Sequence, residues 1–226
     1  MRLTTMPQTP PDLQPMLPPG TPPDRPSDGA DDGSTRGLHD TPPLRRQRLL
    51  DGWPAAWLPL VRQQAQLHLA QDGSATRLCE TVAGGPVTLT VHGQAVVEGA
   101  AAQDLPASVR QALPGSAFLQ RRVSLSHRGV VMMDNLSWIA LATVPDDVAQ
   151  DLLAGRTPIG HLLARLWIRR QPLPLDPAVS ALLWASTGLP DEAATRSYVI
   201  HTPDGPVMHI TECFRRGVLD AGEPRD

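Results

Sequence analysis

Across residues 51–71 the apolar side chains Trp57, Val61, Ala65 and Leu69 recur every fourth position, with Leu58 beside the first. That spacing draws one stripe along a helix. Pro59 falls in the first turn, where a missing N–H costs little, and the Gln and Ala that follow favour helix. Asp72-Gly73 closes the segment as a turn pair. From Thr76 the period changes. Residues 87–91 alternate apolar side chains with Thr, and Gly93 followed by residues 95–98 predicts a turn and a second strand. Cys79 and Cys213 then read as small buried apolar groups near strand segments.

Residues 105–113 predict a short helix near two prolines, and residues 118–127 the next strand. Arg128-Gly129 turns that strand into a longer one over 130–142, a hairpin whose apolar faces need further cover. Residues 145–154 place Val148, Leu152 and Leu153 on one side of a helix, and a second helix runs from Thr157-Pro158 through Leu166. In that reading Thr157 caps and Pro158 is the first helical residue. The Pro-rich run 171–177 breaks regular structure before a helix over 178–186. A final hairpin joins 196–201 to 206–214 across Pro203-Asp204-Gly205. The sum is an α+β domain, a single mostly antiparallel sheet with helices packed on one face.

Composition sets the outer limits of that domain. Residues 1–43 hold eleven of the 25 prolines and few apolar side chains. Such a stretch cannot bury enough surface to offset its ordering entropy. The chain therefore divides into a disordered Pro-rich tail over 1–46, one domain over 47–219 and a flexible C-terminus over 220–226. No basic start followed by an apolar run marks a signal peptide, and no apolar stretch approaches the ~20 residues that span a bilayer. With only two cysteines, the expectation is a soluble cytoplasmic protein in a reducing compartment. A net charge of -3 gives no general attraction to nucleic acid or to acidic membranes. The local exception, Arg45, Arg46 and Arg48, reads as a solvated helix start.

Three features carry candidate chemistry. Alternation along 118–127 puts Arg121 on the inward face with Leu119, Val123 and Leu125. A buried arginine needs an anion, either an internal carboxylate or a ligand. Glu212 shares a strand face with Met208 and Ile210, and either pairs with Arg121 or Arg196 or acts at a site. Thr157-Pro158-Ile159-Gly160 opens a helix with free N–H groups, a place for a carboxylate, for water or for a side chain. Phosphate loops, zinc-spaced ligands and a nucleophile elbow are absent from the sequence. The histidines lack ligand spacing, so no metal is expected.

The order of four segments is more specific than any of these alone: Asp72-Gly-Ser-Ala-Thr-Arg77, Phe118-Leu-Gln-Arg-Arg-Val123, Arg156-Thr-Pro-Ile-Gly160 and Gly205-Pro-Val-Met-His-Ile-Thr-Glu-Cys-Phe214. Over about residues 57–219 the chain resembles the chorismate lyase (chorismate pyruvate-lyase) family. The resemblance implies a single antiparallel sheet flanked by helices, shared in outline with the ligand-sensing domains of some transcription regulators, around a closed pocket. By position, Arg121 matches the family's substrate-binding arginine, Glu212 its pocket glutamate, and Ile159, followed by Gly160, the residue whose backbone meets the ligand. Ala75 stands where some members carry methionine, which alters the pocket's shape rather than its chemistry. Arg77 and Arg196 match basic positions near the pocket.

The activity so implied is elimination of pyruvate from chorismate to give 4-hydroxybenzoate, without cofactor. Arg121 would hold a carboxylate, and Glu212 would orient the 4-hydroxyl and assist proton transfer. Two other readings stand beside it: a non-catalytic aromatic-acid binding domain of the sensor type, and a divergent enzyme making another benzoate. The sequence gives no basis for choosing an oligomeric state. A DNA-binding helix-turn-helix is not expected in so proline-rich an N-terminal segment.

Overall fold

A computed structural model describes residues 43–220, so the readings made for 1–42 and 221–226 lie outside the described residues. Six strands form one antiparallel sheet in the order β1-β2-β3-β6-β5-β4. They are β1 (Thr88–Glu98), β2 (Ala117–His127), β3 (Val130–Ala140), β4 (Arg169–Leu173), β5 (Thr195–Thr202) and β6 (Gly205–Phe214). The α+β architecture read from the sequence, a single antiparallel sheet flanked by helices, is the one observed.

The helices are α1 (Leu58–Ala70), α2 (Ala75–Ala83), α3 (Ala100–Gln103), α4 (Ala107–Ala112), α5 (Asp146–Ala154), α6 (Ile159–Leu163), α7 (Pro177–Thr187) and α8 (Gly217–Asp220). They cover both faces of the sheet rather than one. Residues of α2 and α6 meet the face that carries Val123, Asn135 and Glu212, and residues of α4 meet the face that carries Val199 and His201. The cause lies in β3 and β6, whose central residues are buried on both sides. A strand without a polar face has to be covered twice.

Four local expectations change. Residues 75–83 are helical: Ser74 caps α2 by accepting from the Arg77 N–H, Gly84 ends it in the left-handed region at φ 66°, and the buried Cys79 belongs to this helix, which packs on β2. The turn expected at Gly93 is a bulge between Val91 and Gly93 inside one continuous β1. Part of the Pro-rich run is the edge strand β4, where Pro172 pairs opposite Tyr198. A missing N–H is tolerated at a sheet edge.

The fourth change concerns the basic cluster at 45–48. Arg45 bridges to Val130 and Arg48 to Arg215, while Arg46 bonds the buried Asp134. This segment is therefore part of the sheet's surroundings and not a solvated helix start. In α1 Pro59 does sit in the first turn, and Val61 and Ala65 face inward, but Trp57 is left 56% exposed. Among the described residues no helix is long and apolar enough to cross a membrane.

Candidate functional site

The starts of α2 and α6 close over the sheet to make a cavity. A Cβ on Gly160 would stand 2.5 Å from both Ser74 Oγ and Thr76 Oγ1, so glycine is what allows the two helices to approach. His161 and Glu80 clamp the same pair of helices at 2.9 Å. Beneath them Leu89, Val123, Leu125, Met133 and Ile210 form an apolar floor, with Asn135, Tyr198, Glu212 and Arg170 at its polar positions. The cavity is small, about 30 Å³ in volume. The cavity is a narrow slot.

Glu212 is 3% exposed. Tyr198 Oη donates to its Oε1 at 2.6 Å, and Arg196 Nε donates to its Oε2 at 3.0 Å. Burial and the neighbouring Glu212 carboxylate push the Tyr198 phenol well above its ordinary range, so it stays a neutral donor. Arg196 reaches on to the carbonyls of His68, Leu69 and Gln71 and lies over the rings of Tyr198 and Phe214. Its place is behind the glutamate, tying β5 to the end of α1.

Arg121 is fully buried on the same sheet face and has no carboxylate partner among the described residues. Its Nη2 donates to the Gly155 carbonyl at 2.8 Å and its Nη1 to the Thr157 carbonyl at 3.1 Å, while Nε has no partner. Burial lowers its pKa. The guanidinium thus holds the turn between α5 and α6 and does not line the cavity. That turn differs in detail from expectation: α6 is a single turn from Ile159, its cap residue is Pro158 with no side-chain hydrogen bond, and Thr157 lies before the cap.

Of the residues singled out in the sequence, Ala75, Ile159, Gly160 and Glu212 meet in the cavity wall. Arg77 is exposed and lines an outer groove with Trp167, while Arg121 and Arg196 stand behind the wall. Asn135, Tyr198 and Arg170 were not anticipated. Asn135 could have been found, because alternation through β3 puts it on the face of Met133 and Ser137. Tyr198, the chain's one tyrosine, had the same signal in β5. Arg170 had none, since it flanks a run that reads as irregular. Arg121, Arg170 and Arg196 give this face three guanidiniums, against the buried carboxylate of Glu212 and the exposed one of Glu98 at the end of β1. The excess favours an anion.

No family model matches the sequence, and no curated protein sequence matches it. Solved structures do match. PhnF from Mycobacterium smegmatis is 11% identical over 71% of this chain and 80% of that one, at a TM-score of 0.37. The effector domain of PhnF is 16% identical over 63% and 88%, at 0.31. A GntR-family transcriptional regulator from Bacillus cereus is 12% identical over 62% and 96%, at 0.33. Among the described residues no three His, Cys, Asp or Glu side chains stand close enough together to hold a metal ion.

Proposed function

We propose that this domain binds a small, flat carboxylate of the aromatic-acid class in the cavity between α2, α6 and the sheet. The observation that carries the reading is Arg170 in the wall of a slot whose floor is apolar. It has no carboxylate partner among the described residues, its Nε is buried without a hydrogen bond, and Nη1 is held by the Asp72 carbonyl at 2.8 Å. A carboxylate there would gain a charge-assisted contact. The apolar floor suits a ring, the narrowness suits a planar one, and Glu212 with Tyr198 can exchange hydrogen bonds with a ring hydroxyl.

A second reading, pyruvate elimination from chorismate to 4-hydroxybenzoate, is favoured by the placement of Glu212 in the wall. On that reading Glu212 takes the ring hydroxyl and assists proton transfer. Arg121 and the Gly155–Thr157 turn it holds would set the position of Ile159 and Gly160 against the substrate carboxylate. The reaction is redox-neutral, and aromatisation of the ring drives it.

One experiment separates the readings: calorimetric titration with 4-hydroxybenzoate, alongside incubation with chorismate followed by mass detection of products. Binding without turnover is the expected result, with Arg170→Ala weakening affinity about tenfold or more, since hydrogen bonds to charged groups contribute ~1.5–3 kcal/mol. Absence of binding, or no change in Arg170→Ala, would overturn the site. Stoichiometric 4-hydroxybenzoate and pyruvate, lost in Glu212→Gln and Arg121→Ala, would establish the lyase, and another benzoate a divergent enzyme.

A further inference from the structure

We infer that Asn135 is a specificity residue, selecting acids that carry two adjacent hydrogen-bond donors, such as a catechol-type dihydroxybenzoate. The inference rests on the carboxylate-binding role proposed for the cavity. Asn135 is 5% exposed, lines the cavity, and its Oδ1 has no hydrogen-bond partner among the described residues. A buried amide oxygen left unpaired loses its hydration without a replacement bond, which destabilises the empty site. Its neighbour across the β2–β3 ladder is the apolar Val123, which can supply no donor.

The neighbour across the β3–β6 ladder is Glu212, directly opposite in register. Directly opposed side chains on one sheet face have Cβ atoms about 4.5–5.5 Å apart. The floor therefore presents two oxygen acceptors side by side. A single ring hydroxyl can satisfy one of them. Hydroxyls on neighbouring ring carbons can meet both, one at Glu212 and one at Asn135, while the carboxylate at the far end of the ring faces Arg170. A water molecule at Asn135 is the competing occupant, and it would give no preference between ligands.

The test compares 3,4-dihydroxybenzoate with 4-hydroxybenzoate by calorimetry on the full chain and on Asn135→Leu. The dihydroxy acid should bind the wild type about tenfold more tightly, the effect of one buried acceptor gained, and the ratio should fall toward one in Asn135→Leu. Equal affinities in the wild type, or a ratio that survives in the variant, would overturn the inference while leaving the carboxylate site standing. Binding of neither acid would sink both. The wild-type ratio decides the matter by itself should Asn135→Leu not fold.

Discussion

On the face away from the cavity, Asp134 receives hydrogen bonds from Arg46, Ser124 and Arg215, the last at 2.6 Å, and each of these donors belongs to the protein. On the cavity face Glu212 is met by Tyr198 and Arg196, yet Asn135 opposite it has an unpaired oxygen and Arg170 nearby an unpaired Nε. Both carboxylates are buried, and they do different things. Asp134 joins the segment before α1 to the centre of the sheet and to the residue after β6. Glu212 stands at the edge of a space whose polar groups exceed the partners supplied around them. Burial alone therefore does not separate a structural charge from a cavity-facing one, and neither does a count of unpaired neighbours, since Arg215 Nη1, His209 Nδ1 and Trp138 Nε1 are unpaired on the Asp134 face as well; the difference is the space beside Glu212.

The strongest way to break this comparison is to neutralise each acid in turn. Asp134→Asn leaves two guanidiniums without their anion and should cost about 3–5 kcal/mol in urea unfolding, the effect of removing one partner of a buried pair. Glu212→Gln should cost less, about 1.5–3 kcal/mol, because Arg196 keeps three carbonyl acceptors. Equal losses would mean that both acids are structural.

Acid supplies the next test. His209, on the face of Asp134 and edge-on to Trp138, is pushed down to about 4, mainly by burial, with Asp176 acting in the opposite sense. The unfolded imidazole binds its proton near pH 6.5 and the folded one only near 4. Stability is therefore full above 6.5 and falls as pH drops through that window, by up to about 3 kcal/mol. His92, lowered first by burial, acts in the same direction. Thermal unfolding between pH 7 and 4.5 should follow this course, and His209→Gln should flatten it. An unchanged slope in that variant would remove His209 as the cause.

The smallest expected change sharpens the cavity side. Gly160→Ala drives a methyl against Ser74 and Thr76, an overpacking that costs about 1–3 kcal/mol. By pushing α6 away from α2 it should weaken 4-hydroxybenzoate binding as well, and a stable variant with unaltered affinity would show that the helix starts do not shape the slot.

Much of this was legible in the chain. The two hairpins, the inward face of Arg121 and the burial of Glu212 follow from period-two alternation, and α1, α5 and α7 follow from apolar spacing with Pro and Gly at their ends. Helix α2 was not legible because Thr76, Cys79, Thr81 and Val82 favour strand locally. Ser74 and Gly84 at its ends were its signal, and packing on α6 and β2 outweighs propensity.

By itself, then, the sequence determined which residues turn inward and that a charged pair of types, Arg and Glu, would have to be accommodated there. Only the tertiary structure decided who meets whom. Arg121 found carbonyls 34 and 36 residues further along instead of the cavity, and Arg170 arrived at the wall from an edge strand that looks irregular in sequence. Periodicity is a property of neighbouring residues and fixes direction, whereas a partner is set by strand order, register and the helices laid over them, which join residues far apart along the chain.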